Sequence, residues 1–220
     1  MLISEKLYLL MADNQQKPEA VMAAAGYGMN AAVLSDLMIA GRIALSDDRP
    51  ARIKLIGAGP CPDPVLASPL EKLEKKEGVS LDAAVKIPSL CDVRLVTDSL
   101  AKAGVVEYGA RTLLGLGKER VNILNDQIER QIRADLGAEL HGKKPAGISD
   151  TTVLAILQAL GIAQEVLEQE ISPMSEGQAK ARIAELAQDS PTADSAQRAV
   201  AQVNSIITSE PVIPPATRTK

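Results

Sequence analysis

The sequence predicts a mainly α fold: a helical domain around a central buried helix, with one or two β-hairpins, one of them projecting. Three observations predict it. Apolar residues recur at three- and four-residue steps through most of the 220 positions. Two pairs of short alternating runs are separated by turn-forming residues. The stretch Thr151 to Gln164 carries no charge, and a helix without a polar face belongs in the interior.

The elements follow in order. Ile3, Leu7, Leu10 and Met11 share a helical face, with Ser4 as its cap, and Asp13 to Pro18 breaks that helix. Gly26-Tyr27-Gly28 reads as a turn. A second helix over about Met29 to Ala40 is apolar at Val33, Leu34, Leu37 and Met38 and stops at Gly41. Arg42 to Leu45 and Arg52 to Ile56 flank Ser46-Asp47-Asp48-Arg49-Pro50 and form a first hairpin. Gly57 to Pro64 is a rigid loop; its G-x-G is no dinucleotide motif, because Pro62 occupies the third glycine position. Val65 to Lys76 and Ser80 to Ile87 are short helices, the first with a solvated Glu-Lys face. Ser89 to Ala103 presents Val93, Val96 and Leu100 on one face and ends at Gly104.

Val105 to Tyr108 and Arg120 to Leu124 then form a second hairpin with a long tip. A helix capped by Asn125 or Asp126 follows, with Ile128, Ile132, Leu136 and Leu140 inward and Arg130 and Arg133 facing away. His141 to Gly147 is a linker. Ser149-Asp150 opens the central helix. Ser175 to Gln178 is a capping box for a helix to about Ala187, and Thr192 caps a last one. The expected organisation is one domain over 1–208 with a disordered tail over 209–220.

Composition narrows function. Phe and Trp are absent and only Tyr8, Tyr27 and Tyr108 are aromatic, so base stacking on nucleic acid has no platform. A net charge of −4 gives no global attraction to polyanions. Cys61 and Cys91 lie 30 residues apart without metal spacing, and His141 has no partner motif. The thiols read as small hydrophobes and His141 as a solvated loop residue. No nucleophile-base pattern, carboxylate pair or phosphate loop is present, so no cofactor, no metal and no enzymatic activity are expected. Asp36 reads as a solvated or capping carboxylate. The N-terminus lacks a signal pattern and no run is long enough to span a bilayer, so the expected location is cytoplasmic, with any membrane association peripheral.

The functional interest lies in the second hairpin. Its tip carries Leu113, Leu114 and Leu116 among Arg111, Lys118 and Arg120. Exposed leucines among cations suit an anionic membrane surface, where apolar groups enter the acyl boundary and cations meet headgroups. The same leucines would also serve a cytosolic protein–protein scaffold or a homo-oligomer formed through the hairpin. The order helix, glycine, strand, hairpin occurs twice and resembles a winged helix, which keeps a DNA-binding alternative open against the acidic Asp47-Asp48 tip.

Several segments, in order, resemble the Golgi phosphoprotein 3 family. They are Tyr27-Gly28-Met29, Leu34-Ser35-Asp36-Leu37, Ala40-Gly41-Arg42-Ile43, Pro62-Asp63-Pro64-Val65-Leu66, Leu100 to Val106, Thr152 to Leu160, and Ala199 to Val203. Together they extend over about residues 1–208. The resemblance implies a helical domain around a central helix with a projecting hairpin. Eukaryotic members are peripheral Golgi proteins that bind phosphatidylinositol 4-phosphate, insert hairpin residues into the bilayer, self-associate and hold enzymes by their cytosolic tails. Their headgroup pocket uses a Trp and three Arg. The matching positions here fall near Val21, Asn30, Leu90 and Val93, with Arg94 one residue on. The lipid contacts so implied are Asn30 and Arg94, beside the hairpin residues Arg111, Leu113, Leu114, Leu116, Lys118 and Arg120. The short N-terminus and alanine-rich helices are those expected of a bacterial member.

Overall fold

The structure, a computed structural model, describes residues 1–12, 19–57, 59–109 and 121–188. Among the described residues it is mainly helical, with two separate two-stranded antiparallel sheets. The elements are α1 (Ile3–Ala12), α2 (Glu19–Ile39), β1 (Ile43–Leu45), β2 (Ile53–Leu55), α3 (Pro64–Glu74), α4 (Leu81–Val85), α5 (Val93–Lys102), β3 (Val106–Tyr108), β4 (Val121–Ile123), α6 (Asp126–Leu140), α7 (Ile148–Ala159), α8 (Ala163–Val166), α9 (Glu168–Ile171) and α10 (Glu176–Gln188).

The uncharged stretch does form the central helix. α7 buries every residue from Asp150 to Leu157, and it packs against α1, α2, α6, α8 and α10. Around it, α1 contributes Ile3, Leu7, Leu9 and Leu10, and α2 contributes Val33, Leu34, Leu37 and Met38. The core is aliphatic, as the missing aromatic residues require.

Gly26-Tyr27-Gly28 is not a turn but part of α2, which begins at Glu19. Gly28 is buried against the central helix: a Cβ there would lie 2.7 Å from Leu160 Cδ1 and 3.4 Å from Ile156 Cγ2. The glycine serves close helix approach, so its turn propensity is overridden by packing.

The repeated helix-glycine-hairpin order is real. Gly41 and Gly104 both adopt left-handed backbone, φ 63° and 71°. At the first, Gly41 N donates to Met38 O and Arg42 N to Leu37 O; at the second, Gly104 N donates to Ala101 O and Val105 N to Leu100 O. Each is a Schellman-type stop that turns the chain directly into a strand. β1 pairs with β2 through Ile43–Leu55, Ala44–Lys54 and Leu45–Ile53. β3 pairs with β4 through Val106–Ile123, Glu107–Asn122 and Tyr108–Val121.

Helix starts follow the predicted chemistry in most places. Asp63 accepts the Val65 amide before α3, Ser80 the Ala83 amide before α4, and Asn125 the Gln127 amide before α6. The capping box forms as expected: Ser175 Oγ accepts Gln178 N at 3.3 Å, and Gln178 Oε1 accepts Ser175 N at 2.9 Å. Ser4 is different. It lies inside α1, buried, and its start is capped from α2 instead. Arg133 also departs from expectation: it does not face away but donates to Glu129 and to Val166 O and pairs with Glu170. His141 is not a free loop side chain either, since its Nε2 lies 2.9 Å from Glu170 O. The predicted breaker at Asp13 to Pro18, the last helix and the tail lie outside the described residues.

Candidate functional site

The site builds from the entry to α5. Asp92 has extended backbone and accepts the Arg94 amide at 3.0 Å, so the helix begins at Val93 rather than at Ser89. The segment before it is tightly held. Ser89 has left-handed backbone, φ 52°, a conformation that disfavours a side-chain-bearing residue. Lys72 Nζ donates to Ser89 O at 2.6 Å, and the Asn30 carboxamide donates to Val85 O and Ile87 O and accepts Cys91 N, each within 2.9 Å. Surroundings that over-determine a strained residue are what let it persist. The presented helix, α5, buries Val96, Thr97 and Leu100 and leaves Val93 exposed.

Asn30 is thus placed inside the fold, 5% exposed. Its carboxamide contacts the backbone of Val85, Ile87 and Cys91, the last of them three residues short of Arg94. It reaches the surface only through the segment that it holds.

Arg94 lies on the surface, at the second position of α5. Its guanidinium carbon sits 4.6 Å from the centroid of the Tyr108 ring on β3, and its Nε donates to Asp98 Oδ1 at 3.4 Å. The Tyr108 hydroxyl donates to the same Asp98 oxygen. Arg94, Asp98 and Tyr108 therefore join α5 to the base of the second hairpin. A cation stacked on an aromatic face keeps its charge outward while its plane is supported. No sequence pattern marks Tyr108 or Asp98 as a site residue. The Arg94–Asp98 spacing of four was legible as a helical pair, but the arrival of Tyr108 depends on the chain reversal at Gly104.

That reversal is anchored in the core. Val105 and Val106 are buried, and Val105 O accepts the amides of Leu124 and Asn125 at the far end of the hairpin. The hairpin therefore has a fixed root, closed by three paired positions. Arg111, Leu113, Leu114, Leu116, Lys118 and Arg120 lie outside the described residues.

Two of the buried carboxylates, Asp36 and Glu139, hold helix starts. Asp36 accepts Ile3 N at 2.7 Å, Ser4 N at 3.0 Å and Ser4 Oγ at 2.7 Å. It caps α1 from across the α1–α2 interface; burial nevertheless pushes its carboxyl up to about 6. Glu139 of α6 accepts Gly147 N at 2.8 Å and the Thr151 hydroxyl at 3.4 Å, at the start of α7. Burial pushes it up to about 7. Beside it, Asp150 receives Lys6 at 2.6 Å and Lys144 at 3.3 Å. Both carboxylates face helix N-termini, where backbone amides point toward negative charge. They tie elements together: Asp36 joins α2 to α1, and Glu139 joins α6 to the start of α7. Cys91 is buried and its thiol is pushed up to about 12 by burial and by neighbouring Asp36, which makes it inert.

Among the described residues no group of three or more His, Cys, Asp or Glu is placed to hold a metal ion. No helix among them is long and apolar enough to cross a membrane.

The fold and this edge define a helical domain with a core-rooted hairpin beside an exposed arginine. A family model described as Golgi phosphoprotein 3 (GPP34) matches residues 3–203. The chain belongs to that family, as the ordered motifs from Tyr27 to Val203 suggested. No individually curated protein matches it.

Proposed function

We propose that this protein is a peripheral membrane adaptor that binds anionic phospholipid through the second hairpin and the adjoining face of α5. It acts as a binding protein and not as an enzyme. The observation that carries the reading is the root of the hairpin: Val105 and Val106 locked in the core, with Arg94 exposed beside it. Between the two strands of that root the sequence contains Leu113, Leu114 and Leu116 with Arg111, Lys118 and Arg120. Family membership supports the lipid class, and phosphatidylinositol 4-phosphate is the headgroup common in that family.

The energetics suffice without a selective pocket. Entry of three leucines into the acyl boundary contributes roughly 5–8 kcal/mol before ordering costs, at about 1.5–3 kcal/mol each. Cations near an anionic surface add about 1 kcal/mol apiece. Asn30 contributes by holding the segment that leads into Arg94. Anionic lipid in general, rather than one phosphoinositide, is the ligand, because Asn30, Leu90 and Val93 supply none of the forked donors that grip a phosphate.

The test is vesicle flotation of the Leu113→Asp, Leu114→Asp double variant. Binding to anionic vesicles should disappear while helical circular dichroism stays that of the wild type. Unchanged binding would remove the hairpin from the mechanism. A change in hydrodynamic size in place of a change in vesicle binding would assign the leucines to a protein interface.

A further inference from the structure

Between α6 and α9 the surface opens into a groove of about 520 Å³, a volume in the range that takes a small molecule. Its α6 side is lined by the small residues Ala134, Gly137 and Ala138, which share one helix face at steps of three and four. Side chains this small let a bound group lie close to the helix. The lining is cationic at each end: Arg130 and Arg133 toward the start of α6, His141 and Lys143 at and beyond its end. Arg130 to His141 spans about 16 Å of helix. We propose that this groove binds a small soluble polyol bisphosphate, with one phosphate toward each end. The inference goes beyond the membrane reading and does not rest on it.

The cations divide between walls and ligand. Arg133 is held by three groups: Nε donates to Glu129 Oε1 at 2.8 Å, Nη1 donates to Val166 O at 2.7 Å, and Nη1 lies 3.5 Å from Glu170 Oε2. The two carboxylates neutralise it, so Arg133 shapes the wall. His141 is fixed as well, because Glu170 O only accepts and so takes the proton-bearing Nε2 at 2.9 Å. Arg130 and Lys143 are left to meet an anion. Arg130 pairs with Asp126 at 2.9 Å, but these side chains are 71% and 76% exposed, and a pair so exposed is weak enough to yield to a dianion. Lys143 is exposed and enters no ion pair among the described residues. One such cation at each end favours a ligand with two separated anionic groups over a ligand with one. Phosphate suits both, since a guanidinium fork takes it side by side and an ammonium takes it as a point charge. On the α9 side, Gln169 and Ser172 offer an amide and a hydroxyl, which are partners for ligand hydroxyls. Among the described residues no aromatic side chain lines the groove, so a flat ring finds no stacking platform there.

The experiment is isothermal titration calorimetry of the full-length protein at fixed ionic strength, with fructose 1,6-bisphosphate, fructose 6-phosphate and inorganic phosphate as probes. The bisphosphate should bind about three- to tenfold more tightly than either of the others. Arg130→Gln and Lys143→Gln should each remove that preference. Lys86→Gln should not, although it also removes an exposed cation, one that pairs with Asp82 at α4. Ala134→Glu should abolish binding, because its carboxylate stands four residues after Arg130 on the same helix face and occupies the groove. Ala134 is exposed, and circular dichroism reports the fold of each variant. Absence of binding by the wild type, equal affinity for the three probes, or a preference that survives Arg130→Gln and Lys143→Gln would overturn the inference. Sedimentation with phosphatidylglycerol vesicles separates the sources of the phosphate. Ala134→Glu should pellet as the wild type does; a loss of pelleting would assign the groove to lipid headgroups and overturn the soluble ligand.

Discussion

Asp36 of α2 caps α1 through Ser4: one carboxylate oxygen takes both the Ser4 amide and its hydroxyl, at 3.0 and 2.7 Å, and the other takes Ile3 N at 2.7 Å. The start of α1 is thereby closed by a residue 32 positions away. Replacing Asp36 by Ala leaves these donors buried without an acceptor. The expected loss is about 3 kcal/mol, from roughly 1–3 kcal/mol per unsatisfied buried group with partial relaxation. Urea denaturation measures it; a loss below about 1 kcal/mol would mean that Asp36 is not the cap.

The same burial makes stability depend on pH. Asp36 and Glu139 are raised in the fold, from 3.8 to about 6 and from 4.5 to about 7. The folded state then holds these protons more tightly than the unfolded chain does. Their stabilisation is fully present below about pH 4 and is lost as pH rises through about 6 and 7. Asp135 is lowered by Lys144 and Gln131, so its contribution is lost at acid pH, outside this window. The melting temperature should therefore fall between pH 5 and pH 8, as stability of roughly 1 kcal/mol from Asp36 and roughly 3 kcal/mol from Glu139 is lost. Glu139→Gln should flatten its share of that fall. Thermal melts across the window check this, and a melting temperature that rises from pH 5 to pH 8 would contradict it.

Gly28 tests the helix contact that sequence misread as a turn. Gly28→Ala gains helix propensity of about 1 kcal/mol but crowds Leu160 Cδ1 at 2.7 Å, at a cost of about 1–3 kcal/mol. The net effect should be a destabilisation of about 1 kcal/mol. Gly28→Leu should cost far more, since the buried α2–α7 contact has no room for it. Equal melting temperatures for the three proteins would show that the helices separate freely there.

Asn30 links stability to the site. Asn30→Asp turns a carboxylate toward Val85 O and Ile87 O, where the native amide donates. It should cost about 3 kcal/mol or more. At temperatures where the variant stays folded, binding to anionic vesicles should weaken together with that of Arg94→Ala, because the α5 entry is loosened. Wild-type binding in a destabilised but folded Asn30→Asp protein would separate Asn30 from the lipid face.

Much of the fold was legible in the chain, for identifiable reasons. Both hairpins announced themselves through alternation around turn residues, and Gly41 and Gly104 marked the helix stops that feed them. α7 was legible because an uncharged stretch can only be central. What escaped was encoded in partners distant in sequence. Gly28 looked like a turn because its reason for being glycine is Leu160. By its sequence position Asp36 is a solvated or capping carboxylate; it caps, but from within the core. Arg133 seemed outward by helical spacing, yet α9 covers it with Glu170. At the site, Arg94 could be named from sequence, whereas Tyr108 joins it only after the chain reverses at Gly104. Asn30 matched a family contact by position, yet its short amide serves backbone that no local pattern reveals.

The most direct measurement of the central claim is co-sedimentation of the purified wild-type protein with three vesicle types: neutral, generally anionic, and containing phosphatidylinositol 4-phosphate. The account predicts binding to both charged types, little binding to the neutral one, and weakening with salt, as expected for leucines and cations acting without a selective pocket. Binding only to the phosphatidylinositol 4-phosphate vesicles would contradict the nonselective mechanism, and binding to none of the three would contradict the membrane reading itself.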